Sequence, residues 1–366
     1  MKPEWTVRLS KKSDAKGILK LMKDVYPDRK FDEKKWTKWW KWMFTENPAG
    51  AAKIWVADHN GKIAGQYPFV ITDMKVGDKV LKTAQNIELM THPDYRRQGM
   101  FVKLERTALK GVEKNDIHIA YGFPNAAAYP GHLKSDWFDV CPYQIGFKSF
   151  NLKKILNAYS DNKISNKFVE IFGNLVFKLF YRGKKASIVK GVKISKINSF
   201  DNRFDDFWKT VSNEYQIITV RNKDYLNWRY VKVPDISYTI FAAEENNKIC
   251  GYIVLRCVDE DKNLKSGSIF DILVSSDRPE IASLLISKAI DFFKKENVDY
   301  IICFMIANKK LRKIFRKSGF MFPKSLLKLF ADEGIFIAYS SHPEITQDFF
   351  KDENNWFVQL GDSDSL

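Results

Sequence analysis

Three landmarks recur along this chain of 366 residues at one fixed spacing. Trp42, Pro48 and Gly65, the last closing "NGKIAG", return 186 residues later as Trp228, Pro234 and Gly251, the last closing "NNKICG". Beyond them Glu88, Asn125, Lys134 and Trp137 return as Asp271, Asn308, Lys317 and Phe320 at a spacing of 183. A net deletion of three residues separates the two registers. So many matches in chain order predict two copies of one architecture. The length accommodates two domains of ordinary size.

Each copy reads as mixed α/β. In the first, "KIWVAD" and "KIAGQYPFVI" flank "HNGK", an Asn-Gly hairpin signal. "VLKTAQNIELM" follows as one long strand. From Gly99 to about Lys114 the apolar residues Met100, Phe101, Leu104, Ala108, Leu109 and Val112 keep helical spacing. "IHIAYGF" is a buried strand, and "NAAAYPGHLKSDW" a short helix broken near Pro130. The second copy repeats this order with "SYTIFAAEENNKICGYIVLRCV", "SGSIFDILV", the helix "IASLLISKAIDFFKKE", the strand "YIICFMI" and then "NKKLRKIFRKSGF". Hairpins leading into a strand–helix–strand unit give a mixed, mostly antiparallel sheet flanked by helices.

Composition narrows the class. Hydrophobic residues make up 45% of the chain and aromatics 14%, enough to fill two cores. No apolar run is long enough to span a bilayer. The opening "MKPEWTVRLSKKSD" lacks the apolar core of a secretory signal. Cys141, Cys250, Cys257 and Cys303 form no CxxC pair, which fits a reducing cytoplasm and argues against structural zinc or a disulfide framework. The net charge of +16 divides as +9 over residues 1–150, +9 over 151–200 and −2 over 201–366. Such a field suits an anionic ligand, though a lysine-rich composition alone would also produce it. Within the basic segment, 168–185 joins a 14-residue apolar stretch to Lys184 and Lys185. Packing between domains and peripheral contact with a membrane surface are both open to it.

The chemistry concentrates in "HPDYRRQGMF", His92 to Phe101, where a strand hands over to a helix. The first N–H groups of a helix have no intrahelical partner and sit at the positive end of its dipole, so they bind phosphate readily. Gly99 lets backbone approach an anion, and Arg96 and Arg97 add charge suited to phosphate oxygens. The plain alternative is a basic surface turn. Across the repeat, Arg96, Arg97, Gln98 and Gly99 correspond to Pro279, Glu280, Ile281 and Ala282. Copy two therefore lacks the glycine and places an acid at the helix start, so a single anion site is expected, in copy one.

These residues resemble the GNAT superfamily of N-acetyltransferases, whose signature at this corner is Q/R-x-x-G-x-G/A. Arg96, Arg97, Gln98 and Gly99 match it. Phe101 departs from it, since a small residue is expected there. The later pattern N…Y-x-K-x-G-F is met loosely by Asn125, His132, Lys134 and Trp137, and closely by Asn308 to Phe320. The general look is similar to two-domain members linked to surface polysaccharide and amino-sugar acetylation. The resemblance implies two tandem GNAT-like domains. Residues 1–150 would carry an acyl-CoA site, 151–197 a basic helical connector, 198–345 a degenerate copy, and 346–366 a C-terminal strand and acidic tail. It implies acetyl-CoA as cosubstrate, no metal, and direct transfer to a primary amine, an amino sugar among the candidates. Arg96 to Gly99, with Met100 and Phe101 opening the helix, would cradle the pyrophosphate.

Transfer from a thioester to an amine requires loss of a proton from the ammonium, polarisation of the carbonyl, and protonation of the thiolate. By the resemblance, backbone N–H groups near Leu89 and Met90 are the oxyanion donors. Glu88 is the candidate base, with a solvated or ion-paired strand acid as the alternative. His132 falls where many members carry the tyrosine that protonates the thiolate, and Tyr129 is its rival. Asn125 reads as a helix cap or a coenzyme contact. Cys141 has no evident His/Asp partner. The tail could fray, or fold back and bring Asp362 or Asp364 near the acceptor. Two other functions stay open. One is a Fem-like aminoacyltransferase using aminoacyl-tRNA, although the basic segment lacks stacking platforms, so nucleic acid is not the expected partner. The other is a non-catalytic CoA-binding or scaffold module.

Overall fold

The computed structural model describes residues 5–159, 187–306, 308–322 and 334–363. The 168–185 stretch and Asp364 lie outside the described residues. In chain order the strands are β1 (Thr6–Leu9), β2 (Lys53–His59), β3 (Lys62–Val76), β4 (Lys79–Asn86), β5 (Met90–Thr91), β6 (Ile119–Gly122), β7 (Phe138–Pro142), β8 (Gln144–Ser149), β9 (Val192–Ile197), β10 (Ile217–Thr219), β11 (Thr239–Glu245), β12 (Lys248–Asp259), β13 (Lys265–Val274), β14 (Tyr300–Met305), β15 (Ile335–Ser340) and β16 (Trp356–Phe357). The helices are α1 (Ala15–Val25), α2 (Glu33–Phe44), α3 (Met100–Glu113), α4 (Tyr129–His132), α5 (Leu152–Tyr159), α6 (Asn202–Val211), α7 (Lys223–Tyr230), α8 (Pro279–Lys295), α9 (Lys309–Lys317) and α10 (Gln347–Lys351).

Both hairpins form where the turn residues place them. Asn60 and Gly61 between β2 and β3, and Asn246 and Asn247 between β11 and β12, all take positive φ, as a two-residue hairpin turn demands. The long strand expected over residues 80–90 does not run through. It breaks after Asn86 and resumes at Met90, with Glu88 at φ +51°. Pro130 does not break its helix either. It sits in the first turn of α4, where no N–H is required.

The chain forms two compact units. The first holds the described residues up to Cys141 with Lys232–Asp235 and Gly334–Asn355; the second holds the remainder, including Trp356 onward. In unit one the sheet runs β1-β2-β3-β4-β6-β15-β7, with β5 continuing beside β3. In unit two it runs β8-β14-β13-β12-β11-β9. The expected boundaries at 150 and 198–345 are thereby crossed. The last strand of copy one, β8, pairs with β14 in unit two, and the last strand of copy two, β15, pairs with β6 in unit one. Strand pairing across the repeat outweighs proximity in sequence.

The core of unit one gathers the inward stripe of α3 (Met100, Leu104, Ala108, Leu109, Val112) against Trp55, Tyr67, Phe69 and Trp137. That of unit two packs Ile281, Leu285, Ala289 and Phe293 of α8 against Ile253, Leu255, Ile269 and Phe315. In each unit a strand, a helix and a parallel strand (β4-α3-β6 and β13-α8-β14) fix the geometry of the site.

Candidate active site

In unit one, β4 and β6 lie parallel and paired at Ala84 with Ala120 and at Gln85 with Tyr121. They then part. Phe69 faces Asn86 and Gln66 faces Met90, so Ile87, Glu88 and Leu89 hold one residue more than the strand opposite, a β-bulge. The bulge keeps β5 with β3 and leaves a wedge between β5 and β6. Gln66 pins it by donating from Nε2 to the Glu88 carbonyl at 2.8 Å. The Gln66 Oε1 atom is buried and has no partner among the described residues. Glu88 and Leu89 are both half-buried, and Met90 is buried. Tyr26, after α1, lies close enough to Glu88 for its carboxylate to join burial in raising the phenol pKa.

Beyond β5 a 3-10 turn over Pro93–Tyr95 carries the chain to α3. His92 caps it, its Nδ1 accepting from Asp94 N at 3.2 Å, which is a turn residue's role. Gln98 donates to the Asp94 carbonyl at 3.0 Å. Arg97 and Gly99 take φ of +59° and +79°. A Cβ on Gly99 would meet no heavy atom within 4 Å, so glycine is required here by backbone conformation, and the space before the helix is open. Arg96 and Arg97 are exposed. Arg96 makes one long contact, from Nε to the Thr91 carbonyl at 3.4 Å, and Arg97 has no partner among the described residues. The corner thus offers unpaired helix N–H groups, two guanidinium groups and room.

Met100 and Phe101 turn away from this space. Met100 is buried against Gly65, leaving only its backbone at the corner. The Phe101 ring packs on Tyr67 and His132, with centroids at 6.0 and 5.1 Å. Its room comes from Gly131, where a Cβ would lie 2.5 Å from the ring. The departure from the small-residue pattern is therefore compensated on α4 and does not fill the corner.

His132 does not stand at the open corner as an acid should. It is fully buried, its Nδ1 on Glu105 and its Nε2 3.4 Å from Asn86 Nδ2. Tyr129 is half-buried and donates its hydroxyl to Asp139 at 2.9 and 2.8 Å, and this bond raises its pKa. Asn125 acts as a cap, its Oδ1 accepting from Ala127 N and Ala128 N at 3.1 and 2.9 Å. Burial, with Glu353 nearby, pushes the Cys141 thiol up to about 12, which disfavours the thiolate that a nucleophile needs. Sequence reasoning missed Gln66, Asn86, Tyr67 and Glu105. Glu105 could have been found, because it sits one turn after Phe101 on the inward face of α3, where a carboxylate is out of place.

Unit two has the same bulge, one residue longer than its partner between Asp271 and Ile269. Its wedge is filled. The Gln359 side-chain amide accepts from Ile272 N at 2.9 Å and donates to the Ile272 carbonyl at 2.7 Å. On the other side Gln359 bridges Met305, and Ile306 N donates to Val358 O at 3.2 Å. Asp271, the counterpart of Glu88, is fully buried. It receives Arg221, which also holds Asp362 at 2.6 Å, and the hydroxyls of Tyr230 and Tyr252 at 3.2 and 3.0 Å. The tail does fold back, but onto unit two, and Asp362 ends in an ion pair. The corner there is closed as well: Ser276 N donates to Glu214 at 2.5 Å, and Pro279 and Glu280 open α8. Among the described residues no three His, Cys, Asp or Glu side chains are grouped to hold a metal ion. Among those residues, too, no helix is long and apolar enough to cross a membrane.

The fold has known counterparts. Residues 6–137 match a family model described as an acetyltransferase (GNAT) domain, and residues 200–320 match the acetyltransferase (GNAT) family. No curated protein matches the chain significantly. Among solved structures, a GCN5-related N-acetyltransferase from Anabaena variabilis superposes with a TM-score of 0.64 at 10% identity, over 92% of this chain and 72% of that one. A tandem GNAT protein from the clavulanic acid biosynthesis pathway gives 0.57 at 13% identity, over 93% and 100%. Saccharomyces cerevisiae N-myristoyltransferase with bound myristoyl-CoA gives 0.57 at 13%, over 92% and 82%. The two halves thus define a tandem GNAT fold, an architecture built for acyl transfer. With both family matches together spanning more than half its length, the chain belongs to the GNAT acyltransferases.

Proposed function

We propose that the protein transfers an acetyl group from acetyl-CoA directly to a primary amine, using one coenzyme site, in unit one. The observation that carries this reading is the contrast at the bulge. The wedge beside Ile272 is occupied by the protein's own amide, while the corresponding wedge beside Leu89 leads to an open, basic helix start. Gln359 shows what such a wedge accepts: an amide that pairs with both backbone groups of the bulged strand. Coenzyme A carries amides and a pyrophosphate, and in unit one the orphaned Gln66 Oε1 and the Arg96–Gly99 corner suit those groups.

In this reading backbone N–H groups at Leu89 and Met90 face the thioester oxygen as charge develops on it. Glu88 takes the ammonium proton, directly or through water. The Phe101 ring and the Asn125 cap hold the corner and α4 in place without touching the coenzyme. His132 is a core group. Tyr129 gives its hydroxyl to Asp139 and could protonate the thiolate only by releasing it, so this reading assigns Tyr129 no more than a minor part in that step. The acceptor is a small-molecule amine, and an amino sugar is the class that sequence likeness favours. The cysteine pattern is what supports a cytoplasmic location.

The test is a melting series with acetyl-CoA, CoA and no ligand, run beside Gly99→Glu. Ligand binding raises the melting temperature by mass action. A shift in the parent, lost in the variant, with thiol release on a panel of amines that includes amino sugars, is the expected result. No shift in the parent would sink the reading. A shift without thiol release would make the protein a coenzyme-binding module.

A further inference from the structure

Copy one buries a polar cluster that the fold itself does not need. Tyr67, Glu105, His132 and Asn86 all lie in the core beneath α3. Tyr67 donates its hydroxyl to Glu105 Oε1 at 2.7 Å, and His132 Nδ1 meets the same oxygen. Asn86 Nδ2 reaches the Tyr67 hydroxyl at 3.3 Å and His132 Nε2 at 3.4 Å. The corresponding residues of copy two are Ile253, Ile286, Phe315 and Ile269; the helices align at a spacing of 181, since Leu104 packs on Gly65 as Leu285 does on Gly251. All four belong to its apolar core. The register supports the equivalence, since Phe69 faces Asn86 and Leu255 faces Ile269, each pair just before the bulge.

One backbone is therefore closed with hydrocarbon in one copy and with polar groups in the other. The polar solution is the costly one. Buried polar groups lose hydration, and Glu105 Oε2 is buried with no partner among the described residues. The cost falls on the copy with the open wedge.

Asn86 is the member at the wedge. It is the last residue of β4, and its Oδ1 lies so close over Gly122, the last residue of β6, that a Cβ there would sit 1.8 Å away. Its amide bridges the crotch where the two strands part. With His132 donating through Nδ1 to Glu105, both N–H groups of Asn86 are used and its oxygen is left toward Gly122. We infer that this amide, held by Tyr67 and His132 and through them by Glu105, is a polar floor that ends the wedge after a short acyl group. It selects acetyl-class over long-chain acyl-CoA. The inference rests on the coenzyme site proposed above. With the pyrophosphate at Arg96–Gly99 and the chain of the coenzyme passing Leu89, the acyl end points toward the crotch. A long alkyl chain there would displace the amide or lie against the unpaired carboxylate oxygen.

Titration calorimetry on the full-length protein tests this with CoA, acetyl-CoA, butyryl-CoA and octanoyl-CoA, on the parent and on Asn86→Ala. The parent should bind acetyl-CoA at least about ten-fold more tightly than octanoyl-CoA, and Asn86→Ala should bring the two within about three-fold. His132→Phe, which installs the residue of copy two and keeps the core filled, should narrow the ratio by a smaller factor and serves if Asn86→Ala does not fold. Equal binding of octanoyl-CoA and acetyl-CoA by the parent overturns the polar floor while leaving the coenzyme site standing. A ratio unchanged in the variants overturns it too. Failure of CoA itself to bind overturns both.

Discussion

The two copies bulge at the same place and then diverge. In copy one the residues after the bulge border an open wedge and a basic corner. In copy two they are stitched to Gln359, and the acid that follows the bulge is locked onto Arg221. Sheet, bulge and crossover helix are thus a scaffold that tolerates either state. Among the described residues the copies differ at three points: the glycine at the corner, the acid at the helix start, and the Gln359 amide in the wedge. The difference also separates two acids that the repeat aligns. Glu88 is half-buried with a tyrosine close by, whereas Asp271 is sealed among an arginine and two hydroxyls.

The contrast can be broken most forcefully at Glu88. If it is the base, Glu88→Gln should lower kcat by roughly 10²- to 10⁴-fold with acetyl-CoA affinity retained, and the acidic limb of the pH–rate profile should vanish. Steady-state kinetics across pH check this, and an unchanged profile would remove Glu88 from the chemistry. Next comes Gly99→Glu, which puts an acid and a side chain at φ +79°. Charge-assisted bonds to phosphate are worth about 1.5–3 kcal/mol each, so losing two should weaken coenzyme binding on the order of 100-fold or more. Unaltered affinity by calorimetry would place the pyrophosphate elsewhere. In copy two, Gln359→Leu strands both backbone groups of Ile272 and should cost about 2–6 kcal/mol of stability in denaturant unfolding, with coenzyme affinity and a stoichiometry of one per chain intact. A second bound equivalent would show that Gln359 alone closes that wedge. The smallest effect is expected of Tyr129→Phe. With the hydroxyl already given to Asp139, kcat should fall by less than about ten-fold, and a larger loss would restore Tyr129 as the acid.

Much of this was legible in the chain. The Asn-Gly turn, the α3 stripe and the cap at Asn125 are local, and each formed where its own residues dictate. Gly99 was legible because a single residue type fits its backbone. The wedge was not. The strand expected through Glu88 breaks because of a bulge one residue long, which apolar patterning cannot register. His132 looked like an accessible acid because its partner, Glu105, lies 27 residues away in sequence on another helix. The plug in copy two depends on one side-chain amide mimicking a strand, with no trace in composition or period. Strand exchange was hidden for a similar reason: β8 and β15 carry ordinary strand patterns, and which edge they join is decided by pairing at long range.

That exchange has a consequence for how the protein is made. Unit one takes β15 at Ile335–Ser340 as the neighbour of β6. While the ribosome is still translating the second copy, the nascent first half therefore carries β6 with a bare edge, the kind of surface that recruits stray strands. The half that would bind the coenzyme is finished only after Ile335–Ser340 has been made.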